Sequence, residues 1–262
     1  MSSAAGEALG FDPELLSDVN TAVTEACNNV ILHAYAGGPG PFSVDLRAGQ
    51  DGVSLAVRDY GCGIRQTLPE NDGLKVGLAL MSALADRAEF RNTADGGTEV
   101  RLSFRNPEGG ALPRPDVAEA SGGPSVRQAE LHSRLTGDVV LTVSPVALLA
   151  PVLGRIGRAM APSAGFSLQR CSDVYLVSDV LGAHAERAAD SGAISVALAA
   201  ANHRLEFALG PLRVGSSANI DQAGSARGTD TLVQLAEEIT FSALDGHETL
   251  RVSMRDDLRA KR

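Results

Sequence analysis

The 262-residue sequence contains no tryptophan, and aromatic residues make up only 4% of it. Hydrophobic residues nevertheless account for 44% of the chain, so its cores are expected to consist mainly of Ala, Val and Leu. A chain of this length is long enough for one large or two medium globular domains, each able to bury a core.

Cysteine, positive charge and long apolar runs are also scarce. Cys27, Cys62 and Cys171 have no metal-binding spacing and cannot all pair, which favours a reducing compartment. No leader pattern is seen at the N-terminus and no apolar run approaches membrane-spanning length, so we expect a cytoplasmic protein with no membrane segment. The net charge of −9 argues against broad binding to a phosphate backbone, so no direct nucleic-acid partner is expected.

A polar stripe interrupts an otherwise amphipathic helix predicted over residues 19–35, with Asp18 as its N-cap. Glu25, Asn29 and His33 are spaced four residues apart and therefore stack along one side of this helix. A carboxylate can accept a proton from an attacking hydroxyl, and a carboxamide oxygen one turn away is a hard ligand for Mg²⁺. A helix with an ordinary polar edge is the alternative interpretation.

The second motif is Asp59-Tyr-Gly-Cys-Gly63, which follows an alternating strand predicted over residues 53–57. A carboxylate at a strand end can accept a hydrogen bond from an exocyclic amine such as that of adenine. Gly61 and Gly63 can adopt positive φ and let the backbone approach a flat ligand closely. An ordinary glycine-rich turn has the same composition.

Two further glycine-bearing segments follow. Gly73-Leu-Lys-Val-Gly77 is predicted as a loop that leads into a helix over residues 78–88, an arrangement that phosphate sites use because free N–H groups point at the anion. Gly96-Gly97-Thr98 opens an alternating strand predicted over residues 100–104. The polar helix and the three glycine-bearing segments are much less expected to occur together in this order by chance than any one of them is to occur alone.

Together, within about the first 105 residues, these elements resemble the histidine-kinase-like ATPase superfamily shared by gyrase, the heat-shock chaperones and MutL. The resemblance implies an α/β protein, more closely an α+β two-layer sandwich with the Bergerat-type ATP-binding fold, in which helices cover one face of a mostly antiparallel sheet. One branch, the anti-sigma-factor serine kinases, is similar in particular to the sequence Thr24-Glu-Ala-Cys-Asn-Asn29 followed by His33-Ala-Tyr35. That resemblance implies ATP and Mg²⁺ as cofactors, a sigma factor and an antagonist protein as partners, and a homodimer.

The resemblance also implies a role for individual positions. Glu25 would be the general base for a serine of the antagonist protein, and Asn29 would hold Mg²⁺. Asp59 would bind adenine, with Thr98 beneath the base. The nucleotide-binding positions implied in this way are Asn28, Asn29, Asp59, Gly61, Gly63, Lys75, Gly77, Leu78 and Thr98.

Lys75 departs from the family's pattern, since the phosphate loop usually reads Gly-x-Gly-Leu and the lysine replaces its first glycine. The lysine can supply charge to phosphates, but its β-carbon restricts the loop. We therefore expect an altered lid over the phosphates.

A Pro- and Gly-rich stretch over residues 107–135 is predicted to link two domains, residues 1–106 and residues 136–256. The second domain repeats features of the first: Ser17-Asp18-Val19 recurs as Ser172-Asp173-Val174 after 155 positions, and Asp95-Gly96 recurs as Asp245-Gly246 after 150. The separation drifts by small steps, as short loop deletions would produce. We therefore predict a tandem repeat of the domain.

The predicted second copy lacks the chemistry of the first. At the repeat separation, the positions of Glu25, Asn29, Asp59 and Gly61 are taken by Val180, His184, Pro211 and Arg213. The base, the metal ligand and the adenine acceptor are all absent from those positions. We therefore expect the second domain to keep the fold without binding ATP, in a structural, regulatory or partner-binding role.

The two copies also differ at their starts. A strand over residues 139–143 and a helix over residues 146–160 are predicted before Gly165-Phe166, whereas nine residues precede Gly10-Phe11. Either the chain begins inside the first helix of its domain, or the missing edge strand is supplied by another surface. An uncovered sheet edge favours pairing with a further strand.

Two functions of different classes follow. The first is an ATP-dependent serine/threonine protein kinase that also sequesters a sigma factor, because phosphoryl transfer asks mainly for positioning and charge. The alternative is a non-catalytic, nucleotide-gated protein-binding module in a partner-switching pathway, which Lys75, the short start and the degenerate second half favour. A DNA-manipulating ATPase similar to gyrase or MutL is poorly supported, because the charge balance is acidic.

Overall fold

The structure is a computed structural model that describes residues 11–35, 40–64, 73–94, 96–107, 137–216 and 228–256. The chain divides into two compact units, residues 1–123 and residues 124–262. Of the predicted linker, residues 108–135 lie outside the described residues. Both units combine helices with an antiparallel sheet, so the mixed α/β class with a mostly antiparallel sheet is confirmed.

The first helix, α1, covers Pro13–Asn29 and continues as a π-helical turn over Val30–Ala34. Asp12 caps it, because one carboxylate oxygen accepts the backbone N–H groups of Glu14 and Leu15 at 2.6 and 2.9 Å. The predicted cap at Asp18 was therefore wrong: proline at the first helical position carries a pre-set φ and starts the helix earlier. Single π-helical turns within helices occur frequently at functional sites.

The remaining elements of the first unit form one four-stranded sheet and a second helix. They are β1 Phe42–Gly49, β2 Gly52–Asp59, α2 Gly73–Leu84, β3 Arg87–Asn92 and β4 Thr98–Arg105. The strand order is β3-β4-β2-β1, and every pairing within this unit is antiparallel. Alternate residues of β1 are buried, as expected for a sheet with one face packed on helices, whereas β2, which lies between β4 and β1, is buried along most of its length.

The predicted glycine loop and the helix after it were placed wrongly. Helix α2 already begins at Gly73, so Lys75 and Gly77 lie within a helix, and it ends at Leu84. Residues after it form β3, in which Phe90 pairs with Val100 of β4. Pairing with a neighbouring strand overrides the helical period of the local sequence, because the strand gains its hydrogen bonds from β4.

The second unit contains three helices and five strands among its described residues. They are β5 Val139–Ser144, a 3₁₀ turn Val146–Leu148, α3 Leu149–Met160, α4 Leu168–Ala188, β6 Ile194–Ala201, β7 Arg204–Arg213, α5 Gly228–Leu235, β8 Glu238–Leu244 and β9 His247–Arg255. The strand order is β5-β6-β7-β9-β8, again antiparallel. The predicted strand over 139–143 and helix over 146–160 are confirmed. None of the helices in the described part of the chain is long and apolar enough to cross a membrane.

The two units share one order of elements, helix–strand–strand–helix–strand–strand. Helices α1 and α4 begin at Pro13 and Leu168, 155 positions apart, and strands β1 and β6 begin at Phe42 and Ile194, 152 positions apart. The sheet order β3-β4-β2-β1 has its counterpart in β8-β9-β7-β6. Among the described residues, β5 and α3 have no counterpart in the first unit.

Candidate functional site

Asp59 closes strand β2 and is held in a fixed orientation by the backbone around it. Its side chain is buried, and Oδ1 accepts the N–H groups of Gly61 at 2.8 Å and Thr98 at 3.1 Å. Both hydrogen bonds use Oδ1, and no described residue donates to Oδ2. A buried carboxylate with one oxygen left as an acceptor is suited to a ligand that brings a hydrogen-bond donor.

Asp59 lies in a pocket between α1 and the sheet of the first unit. The lining combines apolar walls with a few polar groups and consists of Ala26, Asn29, Val30, His33, Ala34, Asp59, Gly63, Ile64, Leu74, Leu78, Thr98 and Val100. This combination is typical of small-molecule sites, where apolar walls bury the ligand and polar groups orient it. Among the residues selected from the sequence, the pocket brings together Asn29, Asp59, Gly63, Leu78 and Thr98.

The two glycines of the Asp59 motif are required for different reasons. Gly63 has a φ of +70°, as predicted, which favours glycine. Gly61 is not among the residues with positive φ, so that part of the prediction was wrong. A β-carbon at Gly61 would instead lie 2.0 Å from the carbonyl oxygen of Ala34, and the N–H of Cys62 donates to the same oxygen at 2.9 Å. Gly61 therefore lets the end of the π-helical turn contact the Asp59 turn.

Gly77 brings helix α2 against the polar stripe of α1. A β-carbon at Gly77 would lie 2.9 Å from Oδ1 of Asn29 and 3.2 Å from Oε2 of Glu25. Gly77 lies within α2, so the prediction that it stands at a helix start was wrong. The close approach nevertheless places the Glu25 carboxylate and the Asn29 carboxamide side by side against Gly77.

The carboxamide of Asn29 carries an unused hydrogen-bonding group, because its buried Nδ2 has no partner among the described residues. Such a group in a native structure calls for an explanation, and a bound ligand is one. Among the described residues, no group of three His, Cys, Asp or Glu side chains could hold a metal on its own. A carboxamide beside a carboxylate instead fits Mg²⁺, which usually takes one or two protein oxygens and completes its shell with phosphates and waters.

Some selected residues stand outside the pocket wall. Glu25 and Gly77 adjoin Asn29 but do not line the pocket, and neither Asn28 nor Gly61 lines it. The side chain of Lys75 lies outside what the structure describes. The pocket and the Glu25–Gly77 contact therefore form two neighbouring parts that share Asn29.

Two residues at the site, Tyr35 and Asn92, were assigned no role from the sequence, and a third, Gly97, was predicted only to open a strand. A β-carbon at Gly97 would lie 2.0 Å from the carbonyl oxygen of Asp59, so this glycine allows β4 to pack on the turn. The Tyr35 hydroxyl donates to the carbonyl of Pro41 and accepts the N–H of Tyr60 at 3.0 Å, and burial raises the pKa of Tyr35. Asn92 hydrogen-bonds the backbone of Ile64. The sequence signal for Tyr35 was the segment His33-Ala-Tyr35, and that for Gly97 was the segment Gly96-Gly97-Thr98.

The second unit ties the end of β7 to its sheet in a different way. Glu248 of β9 is buried, and its two oxygens accept the N–H of Gly215 and the hydroxyl of Ser216, both at 2.7 Å. In the first unit, by contrast, the buried Asp59 is itself the last residue of β2. Strand β7 ends at Arg213, and Pro211, two residues before that end, has no acceptor side chain.

His184 of α4 is fully buried, and neither of its ring nitrogens has a hydrogen-bond partner in the part of the chain that the structure describes. Its ring packs edge-on against Phe241, with 6.0 Å between ring centroids. Burial lowers the pKa of His184, Arg187 lowers it further, and Glu248 raises it. Since no described group of three metal-ligating side chains is found, His184 is best explained as a buried neutral packing residue.

Comparison with known proteins places these features in one family. Residues 1–104 match the model of the family described as "Histidine kinase-like ATPase domain". The chain is 32% identical over 106 residues to the anti-sigma F factor of Bacillus cytotoxicus, covering 36% of this chain and 73% of the relative. It is 35% identical over 106 residues to the anti-sigma F factor of Heyndrickxia coagulans, covering 35% and 72%. It is 29% identical over 136 residues to the serine-protein kinase RsbW of Halalkalibacterium halodurans, covering 47% and 78%.

Proposed function

Because the chain belongs to the histidine kinase-like ATPase family through residues 1–104, we propose that its first unit binds ATP together with Mg²⁺. We further propose that the protein is an anti-sigma regulatory factor that phosphorylates a serine or threonine of an antagonist protein. The relatives named anti-sigma F factor and serine-protein kinase support this proposal.

One observation carries the proposal, the contact of Gly77 with both Glu25 and Asn29. The contact puts a potential base and a potential magnesium ligand beside one another. Asn29 also lines the pocket that contains Asp59. With ATP bound, Asp59 would accept the adenine amine and Asn29 would hold the Mg²⁺ of the phosphates.

In the proposed reaction, Glu25 accepts the proton of the attacking hydroxyl. The hydroxyl oxygen bonds to the γ-phosphorus as the bond between that phosphorus and the bridging oxygen of ADP breaks, so the phosphoryl group moves intact. Asn29 holds Mg²⁺, which supplies neutralisation of the charge on the phosphate oxygens when bound. Asp59 fixes the adenine ring, and the apolar pocket walls exclude water from that ring.

The sigma factor and the antagonist are the proposed macromolecular partners, and a homodimer is the proposed assembly. The relatives named anti-sigma F factor support the anti-sigma role. The acidic net charge of −9 is consistent with proteins, rather than nucleic acid, as the partners. A cytoplasmic location remains a prediction from composition.

The second unit is proposed to be a second copy of the fold that does not bind ATP. Its shared order of elements supports the copy, and Val180, His184 and Pro211 at the site positions support the loss of binding. Glu248 adds a reason, because both of its oxygens already accept hydrogen bonds from the protein. Expression of residues 136–256 tests this: we expect a folded domain with no heat of ATP binding, and micromolar binding would contradict the proposal.

Titration of the full chain with a fluorescent ATP analogue, with and without Mg²⁺, tests the nucleotide site. We expect saturable binding that strengthens with Mg²⁺. Phosphotransfer is then tested with ³²P-labelled ATP and a phosphatase-treated extract of the source cells, using Glu25→Gln as the matched control. A labelled protein that appears with the wild type and not with the variant supports the kinase. Binding without any transfer favours the nucleotide-gated binding module, and no binding contradicts both functions.

A further inference from the structure

Asn92, the last residue of β3, makes two hydrogen bonds to one residue of the pocket wall. Its Oδ1 accepts the N–H of Ile64 at 2.7 Å, and its Nδ2 donates to the carbonyl of Ile64 at 3.1 Å. The carboxamide thus satisfies both backbone groups of Ile64, as a neighbouring strand would. Ile64 follows directly after Gly63, and both line the pocket that contains Asp59.

The surroundings of Asn92 connect it to the rest of the pocket. Its backbone pairs with Thr98, whose N–H donates to Asp59. A β-carbon at Gly63 would lie 3.1 Å from Oδ1 of Asn92, so the left-handed turn at Gly63 leaves space for the carboxamide. Asn92 therefore ties the segment after the Asp59 motif to the strand pair that also holds the Asp59 carboxylate.

We propose that Asn92 is a positioning residue of the nucleotide pocket, which sets the location of Ile64 as a wall for the base. This inference rests on the proposed ATP binding by the first unit. Asn92 acts through Ile64, because its carboxamide hydrogen-bonds the backbone of that residue. Without the carboxamide, the N–H and the carbonyl of Ile64 both lose their hydrogen-bond partner. The Ile64 side chain is then no longer fixed at the distance that the flat adenine ring needs.

The first experiment compares Asn92→Ala with Asn106→Ala in ATP titrations of the full chain. Asn106 is the control, because its carboxamide, although more buried than that of the exposed Asn92, also donates to a backbone carbonyl, that of Gln50 at 3.0 Å, at the opposite end of β4 from Thr98. We expect ATP to bind about tenfold more weakly to Asn92→Ala, as the loss of one to two net hydrogen bonds predicts, and equally well to Asn106→Ala. An equal loss in both variants at equal thermal stability overturns the proposal.

The second experiment follows amide hydrogen exchange at Ile64 by NMR, in the absence of nucleotide. We expect fast exchange in Asn92→Ala and slow exchange in the wild type and in Asn92→Asp, whose carboxylate still accepts the Ile64 N–H. Unchanged protection in Asn92→Ala shows that Asn92 does not position Ile64. If the wild type binds no ATP, the proposed function fails, while the exchange data still decide whether the carboxamide holds the pocket wall.

Discussion

Gly77 and Asn29 approach each other so closely that a β-carbon on the glycine would lie 2.9 Å from the carboxamide oxygen. The neighbouring atoms are the ends of the Asn29 and Glu25 side chains and not backbone, so an added methyl group displaces the site residues before it displaces the helices. Glycine at position 77 is therefore needed mainly to leave room for the Asn29 and Glu25 side chains, and less for the packing of α1 against α2.

We predict that Gly77→Ala abolishes the magnesium-dependent part of ATP binding while changing the unfolding free energy by no more than about 1–2 kcal/mol, because flexible side-chain ends can move away. Nucleotide titrations with and without Mg²⁺, together with urea unfolding, measure the two effects. Gly49→Ala is the control, since a β-carbon there meets nothing within 4 Å. A Gly77→Ala protein with full magnesium-dependent affinity would show that the contact does not matter for the site.

Asp59→Asn is expected to weaken ATP binding by about 1.5–3 kcal/mol, the net value of a hydrogen bond to a charged group. The asparagine oxygen can still accept the N–H groups of Gly61 and Thr98, so the turn should persist. Its NH₂ group replaces Oδ2 and cannot accept the adenine amine. Calorimetry measures the affinity, and circular dichroism checks the fold. Wild-type affinity in this variant would remove Asp59 from the adenine site.

Glu25→Gln is expected to bind ATP almost as the wild type does and to transfer no phosphate, because the amide keeps the shape of the carboxylate but cannot take a proton. Single-turnover transfer of labelled phosphate and parallel ATP titrations separate the two steps. Glu14→Gln serves as the control, since Glu14 is an exposed carboxylate in the first turn of the same helix. Equal transfer by Glu25→Gln and the wild type would exclude Glu25 as the base.

The stability of the second unit is expected to fall at mildly acidic pH because of His184. Its pKa is lowered in the folded protein, so the unfolded chain binds a proton first, and folding loses free energy as pH falls below the unfolded value of about 6.5. Above that value this residue contributes no pH dependence. Urea unfolding between pH 5 and 8 should show a smaller decline for His184→Leu than for the wild type.

The control for this prediction is His203→Asn, because His203 is exposed and has a φ of +61°, which asparagine tolerates. We expect this variant to keep the wild-type pH profile. The charged groups that act on His184 are Arg187 of the same helix and Glu248 of β9. Identical pH profiles for His184→Leu and the wild type would mean that the imidazole becomes charged without cost.

Local sequence was sufficient to predict where the main candidate site residues lie on their helix and strand. The four-residue spacing placed Glu25 and Asn29 on one side of α1, and the alternating strand placed Asp59 at a strand end. Both inferences depend on backbone periods that extend over a few residues, which the chain itself determines. The motif order led to the same family that the comparison of residues 1–104 shows.

Boundaries between elements were less predictable because they depend on residues distant in sequence. Residues 87 and 88 were predicted as the end of a helix but begin β3, since β4 offers this segment a complete set of backbone hydrogen bonds. Helix α2 extends back to Gly73, so the predicted phosphate loop is helical up to Gly77.

The sequence by itself determined which groups could act as base, metal ligand and adenine acceptor, because those properties belong to single side chains on regular elements. Only the tertiary structure decided how they meet. The requirement for glycine at position 61 comes from the carbonyl of Ala34, and the wall residue Ile64 is held by Asn92, which is 28 positions away. Such contacts arise when separate elements pack, and the order of residues along the chain does not encode their distances.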